Sequence, residues 1–398
     1  AVGLTNQPMK LALAVFQALN VGSTALVARF MGTDDNESAS AVVKQTLILT
    51  AIMGILVSVP GYIFADKVIG FMGAKPEVLP LAVRYIEIIA LGGVFITTTM
   101  GIGAALRGAG DTVTPMRYNL VSNLINVVLN YILIYGKLGF PAMGITGAAI
   151  ATTLSRSVAM IMALLAIYHP DSLLSLSKRK GLFLDYDIIQ RILKVGIPSG
   201  LEQFIFRTGQ MEFVRTVAGL GTTVFAAHQV AMNVFGLSFS PSMAFGIAAT
   251  TLVGQSLGAE RPDLAEKYGL ETRRMGMIVA VTIASTFFFF GRYIAGIYTN
   301  DPEVITLAAG CLKIIAVMQP MQSTQFILAG ALRGAGDTRG PLISSFIAVW
   351  GIRVILAKIF IKMGFGLTGA WMAQLCDQIF RSVFMYLRYN SGKWKRVK

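Results

Sequence analysis

The sequence contains few of the residues that build metal sites, disulfides and polar surfaces. Its 398 residues include two cysteines, two histidines and 14% charged residues, whereas a typical soluble domain has about 25% charged residues. Cys311 and Cys376 lie in apolar stretches and are expected to pack as thiols without forming a disulfide. His169 and His228 form no cluster with metal-ligand spacing. These shortages exclude a disulfide-rich secreted domain and argue against an ordinary soluble protein.

Long apolar stretches are abundant instead. Hydrophobic residues make up 55% of the chain, and the mean hydropathy is +0.66. Stretches such as 47–64, 145–168 and 275–290 approach the ~20 residues that cross a bilayer as a helix. Because lipid offers no partner to an unpaired backbone group, spanning segments are helices or closed barrels, and the short alternating strands of a barrel are missing from the sequence. The pattern predicts an all-α polytopic membrane protein.

The net charge of +14 allows two interpretations. One is nucleic-acid binding. The other is the excess of lysine and arginine that membrane proteins carry in their cytoplasmic loops. Given the apolar composition, we favour the second, with the lipid bilayer and no nucleic acid as partner.

One octet, ALRGAGDT, occurs twice, at 105–112 and at 331–338, and the two copies are 226 residues apart. The same offset aligns Pro76-Glu77-Val78 with Pro302-Glu303-Val304 without a gap. Farther on, GITGAAIA at 144–151 matches GLTGAWMA at 366–373 after a four-residue deletion. The chain therefore consists of two copies of one unit. Internal repeats of this kind are typical of secondary transporters.

The repeat gives a count of the spanning helices. The second copy begins with a span at 188–217 that has no counterpart in the first copy, so we expect a parent with six helices per copy and a chain that lacks the first. We predict two parallel-repeat helical bundles: an N-terminal lobe at 1–168, a cytoplasmic linker at 169–187 and a C-terminal lobe at 188–398. The eleven predicted spans are 8–30, 42–64, 80–106, 114–136, 144–168, 188–217, 227–256, 270–298, 304–332, 340–362 and 367–389.

Loop charges orient these spans. With the N-terminus of the chain outside, roughly 20 lysines and arginines fall on the inside and roughly 7 on the outside, as the positive-inside rule requires. The inside set includes the linker cluster Lys178, Arg179 and Lys180 and the basic C-terminal residues. We therefore expect a multi-pass protein of the plasma (inner) membrane with a cytoplasmic C-terminus and both copies in the same orientation.

Two interpretations of the octet are possible. A phosphate-binding loop needs a preceding strand, and a P-loop also needs a following Lys-Ser/Thr pair, and neither is present. A turn between two helices fits better. Arg107 and Arg333 then lie at a helix C-terminus, where a cation suits the dipole and reaches the headgroups. Asp111 and Asp337, or the adjacent threonines, then cap the next helix.

Several motifs are similar to those of one transporter family. The doubled LRGAGDT turn with its downstream proline, and four further segments, resemble the multidrug and toxic compound extrusion (MATE) family over the whole chain. These segments are NVVLNYILI at 126–134, GIPSGLEQ at 196–203, AAHQVAMNV at 226–234 and RSVFMYLRYNSGKW at 381–394. The resemblance implies two six-helix lobes around a cleft that alternates between the two sides of the membrane. It also implies export of organic cations and other amphipathic compounds in exchange for Na⁺ or H⁺, with no cofactor, and we expect a monomer.

Glu202 is the first candidate for ion coupling. It follows Pro198 by four residues inside a predicted span, and an ionisable residue within a span is functional by default. Its carboxylate suits either a proton or Na⁺. The alternative is a salt bridge to Arg207 or to another helix.

A second candidate site lies in the first lobe. Family members can carry an Asn and an Asp four residues apart in this helix, and the matching positions here are Asn126 and Asn130. Both amides lie on one helix face. They can coordinate Na⁺ but cannot titrate, and Thr152 adds a hydroxyl by family position. Hydrogen bonding between helices is the alternative.

The remaining candidates lie in the second lobe. Gln322 occupies the position where some relatives place an acidic ligand. Asp377 and Arg381 are four residues apart on the last helix, so we predict an internal ion pair that Arg353 extends, with Asp377 as a further candidate for coupling. The residues expected to line the substrate cleft are Gln203, Asn233, Gln319, Gln322, Gln325 and Thr152.

Other functions remain open at this point. A flippase for a lipid-linked precursor, from the same superfamily, would need several cationic residues in the cleft. A membrane-embedded enzyme would need a catalytic constellation, and none is visible. A channel is disfavoured because Pro241 and Pro320 lie within spans of the second copy and predict bends there. Valines occupy the matching positions in the first copy, so bends are expected in the second lobe rather than the first.

Overall fold

The computed structural model describes residues 2–71, 79–169, 172, 174, 176 and 184–396. The basic cluster at 178–180 lies outside them. The described residues form helices and contain no strand. The helices are α1 (Val2–Gly32), α2 (Asn36–Ile63), α3 (Ala65–Phe71), α4 (Leu79–Leu91), α5 (Gly93–Gly108), α6 (Val113–Tyr135), α7 (Gly144–Tyr168), α8 (Tyr186–Ala218), α9 (Thr222–Gly258), α10 (Pro262–Tyr298), α11 (Pro302–Gly334), α12 (Arg339–Phe346), α13 (Ile355–Phe360) and α14 (Gly366–Asn390).

The predicted all-α class is confirmed, and every predicted span falls on helix. Wide π-type turns at Ile347–Val354 and Ile361–Phe365 join α12 and α13 to α14. Gly364 (φ 89°) and Gly366 (φ 51°) have positive φ angles and interrupt the helix between α13 and α14. This position matches the boundary between the predicted spans 340–362 and 367–389. Within the described residues, seven helices are long and apolar enough to cross a membrane, or eight if a bent pair counts as one span.

The bent pair corrects the expectation about bending. The span predicted at 80–106 is two helices, α4 and α5, that meet at Gly92 with a bend of 46°. This bend lies in the first lobe, for which none was expected. Adjacent glycines explain it, because Gly92 and Gly93 carry no side chain to stiffen the helix. In the second lobe, α9 and α11 each continue as one helix through Pro241 and Pro320, and the bends expected at these prolines stay a prediction.

The chain folds into two compact units, residues 1–200 and 201–398. The boundary falls inside α8. In the first unit, α1, α2 and α5 pack against one another, and α6 packs on α7. In the second unit, α11 packs against α9, α10 and α14. Small residues along α11 permit this close approach, as is usual in membrane helix bundles.

Both octets form the same turn. In each, the amide of the aspartate binds the carbonyl of the leucine five residues earlier, at 2.9 Å for Asp111 and 2.8 Å for Asp337. Gly110 (φ 93°) and Gly336 (φ 85°) take the left-handed conformation that closes the helix. The aspartates, rather than the threonine hydroxyls, then accept amide hydrogens of the next helix, from Thr114 N at 2.9 Å and from Gly340 N at 3.3 Å. The turn interpretation is confirmed.

The octets also fix how closely α5 and α11 approach their neighbours. Thr24 Oγ1 donates to the carbonyl of Ala104 at 2.9 Å, and Thr250 Oγ1 donates to that of Gly330 at 2.9 Å. These two bonds occupy equivalent positions in the two copies. A Cβ added to Gly334 would lie 2.9 Å from the Thr250 Cα. Only glycine fits at that position without moving the backbone.

We therefore expect Gly334→Ala to lower the free energy of unfolding by about 1–3 kcal/mol, the usual cost of overpacking. Gly310→Ala is the matched control in the same helix, because nothing lies within 4 Å of its added Cβ. That substitution should be neutral or stabilising by roughly 0.5–1 kcal/mol, since alanine favours helix. Thermal unfolding of the purified protein in detergent measures both. Equal effects of the two substitutions would contradict the close-packing argument.

Candidate functional site

A buried ion pair connects α8 with α11. Nη2 of Arg333 lies 2.8 Å from Oε1 and 2.7 Å from Oε2 of Glu202. Ser345, near the end of α12, donates its hydroxyl to Oε1 of Glu202 at 3.2 Å. The side chain of Glu202 is 6% exposed and that of Arg333 is 14% exposed. A carboxylate in this environment is stable because three hydrogen bonds and an opposite charge replace its water.

The ion pair between Glu202 and Arg333 decides two predictions made from the sequence: the partner of Glu202 and the direction of the Arg333 side chain. The alternative of a salt bridge from Glu202 to another helix is confirmed, with Arg333 rather than Arg207 as the partner. The expectation that Arg333 extends to the headgroups is wrong. Its guanidinium turns inward because the octet places it at the end of α11, beside the carboxylate of α8. The equivalent Arg107 in the first unit lies in a buried stretch beside Tyr118.

The octet aspartate of the second unit has its own cation. Oδ2 of Asp337 accepts from Nε of Arg388, on α14, at 2.7 Å. Both charged residues of this octet are therefore neutralised, one by α8 and the other by α14. The octet therefore forms a turn, and its two charged residues also link the end of α11 to α8 and to α14 by ion pairs.

A second buried cluster lies between α8, the π-type turn and α14. Oδ2 of Asp377 accepts from both Arg353 and Arg381, the latter at 2.8 Å. Nη1 of Arg353 also donates to Oε1 of Gln210 at 2.8 Å, and the Phe206 ring lies 5.3 Å and 5.6 Å from the two guanidinium carbons. The predicted ion pair of Asp377 with Arg381 and its extension by Arg353 are confirmed. No sequence pattern predicted that Gln210 and Phe206 of α8 would contact this ion pair.

This cluster has an excess of positive charge. It contains two guanidinium groups and one carboxylate, and all three side chains are at most 2% exposed. Removing one partner of a buried pair is usually costly because the other charge then stays unpaired. We therefore expect substitution of Asp377 to destabilise the second unit.

Three predicted cleft residues are deeply buried. Gln319, Gln322 and Gln325 of α11 are at most 1% exposed. Nε2 of Gln319 donates to Oγ of Ser238 on α9 at 2.6 Å. Both side-chain polar atoms of Gln322 have no protein partner among the described residues. Such atoms are usually satisfied by water or a bound ion.

The other cleft candidates are placed differently. Gln203 is half-buried beside Glu202 on α8, whereas Asn233 is exposed. His228, which the sequence associates with no metal, is buried among the rings of Phe213, Phe225 and Trp371. Within the described residues, no group of three or more His, Cys, Asp or Glu side chains is arranged to hold a metal ion. Both cysteines are free thiols, as expected.

The first unit brings three predicted residues together. Nδ2 of Asn130 donates to Oδ1 of Asn126 at 3.0 Å, and Nδ2 of Asn126 lies 3.5 Å from Oγ1 of Thr152 on α7. Oδ1 of Asn130 is buried and has no protein partner among the described residues. The group offers neutral oxygen atoms, which suit a hard cation such as Na⁺ but cannot bind a proton at neutral pH.

The sequence is similar to that of known membrane transporters. The MatE family model matches residues 1–132 and 198–359. A probable multidrug resistance protein NorM of Thermotoga maritima is 32% identical over 99% of this chain and 85% of its own length. One of the same name from Bacillus cereus is 30% identical over 92% of this chain and 82% of its own length.

Solved structures agree in fold. An outward-facing multidrug resistance MATE family transporter of the MOP superfamily superimposes with a TM-score of 0.91 at 23% identity. The match covers 98% of this chain and 88% of that chain. The family model covers both octets and Glu202, and the NorM relatives each match more than nine-tenths of the sequence. The chain therefore belongs to the MATE family of membrane transporters.

Proposed function

We propose that this chain is a secondary antiporter that exports cationic or amphipathic organic compounds in exchange for Na⁺ or H⁺. It would act by alternating access in the plasma (inner) membrane, with its C-terminus in the cytoplasm. The NorM relatives are named as probable multidrug resistance proteins, which supports this substrate class. The observation that carries the proposal is the ion pair of Glu202 with Arg333 inside helices of the second unit.

The pair provides a simple coupling device. A proton or Na⁺ that binds Glu202 competes with Arg333 for the carboxylate, so ion binding and the ion pair exclude each other. If the pair forms in only one of two conformations, the coupling ion shifts the population toward the other. Breaking a buried ion pair is worth about 3–5 kcal/mol, and a shift from 1:99 to 99:1 needs about 5.5 kcal/mol of differential binding. The cost of leaving one buried charge without its partner is thus of the same order as the free energy that such a switch needs.

The first unit supports a separate role for Na⁺. Asn126, Asn130 and Thr152 present uncharged oxygens, so this site would favour Na⁺ over H⁺. Glu202 accepts either ion. Protons could therefore couple at only one of the two proposed sites, whereas Na⁺ could use both.

Transport under separate ion gradients tests the proposal. The full chain in lipid vesicles should move ethidium against its gradient when either a Na⁺ gradient or a pH gradient is imposed. Collapsing the gradient with the matching ionophore should stop the movement. If no dye in a broad panel moves under either gradient, the multidrug antiporter proposal is wrong.

The flippase alternative predicts a different outcome. Such a protein would translocate a fluorescent lipid-linked pyrophosphate in the same vesicles without moving dyes. The buried arginines give this alternative limited support, because Arg353 and Arg381 are both bound to Asp377. Translocation of the lipid without dye transport would favour it over export of organic cations.

A further inference from the structure

A cavity opens in the first unit beside the first octet. Its volume is about 580 Å³, and it lies between the end of α5, the start of α6 and the end of α7. Leu106, Ala109, Leu165 and Ala166 form its apolar wall, and Asp111 and Arg117 supply opposite charges. Leu165 is 66% exposed, so in a membrane the cavity opens toward lipid at the level of the helix ends.

The repeat explains why this space is open. Helices α7 and α14 are both 25 residues long and align from Gly144 and Gly366, which pairs Ala166 with Arg388. In the second unit, Arg388 occupies the space and its Nε binds Oδ2 of the octet aspartate at 2.7 Å. In the first unit, alanine leaves that volume empty.

The carboxylate in the cavity keeps a free acceptor. Oδ1 of Asp111 accepts from the amides of Val113 and Thr114 at 3.1 Å and 2.9 Å. Among the described residues, no donor binds its Oδ2. This oxygen corresponds to the one that receives a guanidinium N–H in the second unit. Among the described residues, this oxygen is therefore a cation acceptor to which no lysine, arginine or histidine of the chain is hydrogen-bonded.

We propose that this cavity binds the headgroup of phosphatidylethanolamine. Its primary ammonium donates to Asp111, in the place that Arg388 takes in the other unit, and its phosphate pairs with Arg117. The acyl chains follow the apolar wall at Leu165 toward the bilayer. Phosphatidylcholine has the same phosphate and chains, but its trimethylammonium group has no N–H to donate. The inference does not depend on the proposed antiport.

Competition between two lipids tests the site. The full chain in detergent is incubated with equal amounts of phosphatidylethanolamine and phosphatidylcholine that carry identical acyl chains, and retained lipid is counted by native mass spectrometry. One charge-assisted hydrogen bond should give a preference of about tenfold or more for the ethanolamine lipid. Equal retention of the two lipids would overturn the proposal. Displacement by free phosphoethanolamine as effective as that by the whole lipid would also overturn it, because the ligand would then be soluble.

Three variants localise the effect. Asp111→Asn should remove the preference. Ala166→Arg should also remove it by filling the cavity with the side chain found in the second unit, and it should not lower the unfolding temperature because its guanidinium finds Asp111. Asp337→Asn is the matched control in the other octet and should leave the preference intact. A preference that survives Ala166→Arg would show that the lipid binds elsewhere.

Discussion

Replacement of Glu202 by glutamine should abolish ion-coupled transport and leave a folded protein in the membrane. Glutamine keeps an oxygen that accepts from Arg333 at the 2.7–2.8 Å seen for the carboxylate, so the helices remain joined. It cannot bind a proton and binds Na⁺ far more weakly, because it lacks the negative charge. We expect gradient-driven dye transport to fall to the level of empty vesicles, with a loss of unfolding free energy of up to about 3–5 kcal/mol because Arg333 then lacks an opposite charge.

Glu212→Gln is the matched control, since it removes a carboxylate from the same helix. Glu212 pairs with Lys358 at 2.7 Å, but the lysine side chain is 50% exposed, so solvent screens the pair. Transport by this variant should equal that of the unsubstituted protein. Unaltered coupled transport by Glu202→Gln would remove Glu202 from the mechanism and leave the pair with a purely structural role.

Asp377→Asn should be the most destabilising single change in the second unit. It removes the carboxylate that contacts both Arg353 and Arg381, and all three side chains are almost fully buried. Uncompensated charge in such a position costs about 3–5 kcal/mol, since the two buried guanidinium groups then lose their shared carboxylate. Thermal unfolding in detergent should show a large decrease in transition temperature.

A second substitution tests the cause. Arg381→Gln in the Asp377→Asn background lowers the excess positive charge and should recover part of the lost stability. Asp263→Asn serves as the exposed control, because its pair with Arg261 has side chains that are 61% and 56% exposed, and it should leave the transition temperature unchanged. If the Asp377→Asn variant has the same unfolding transition temperature as the unsubstituted protein, the cluster of Asp377, Arg353 and Arg381 does not stabilise the second unit.

The sequence alone determined the class, the repeat and the turn. Apolar stretches of bilayer length and the scarcity of charge predict helices because lipid leaves backbone groups no other partner. The doubled octet predicts the same turn twice, since its left-handed glycine and capping aspartate act within a few residues of one another. The ion pair of Asp377 with Arg381 was predictable for the same reason, as residues four apart share one helix face.

The tertiary structure alone decided which distant side chains meet. Arg333 and Glu202 are far apart in sequence, and only their ion pair in the folded chain shows that the octet arginine turns inward. The repeat predicts equivalent backbones, yet one difference, Ala166 against Arg388, opens a cavity in one unit and closes it in the other. Local patterns determine backbone conformation because their interactions are short in range. Partners and cavities depend on which helix faces pack together, and no local pattern records that choice.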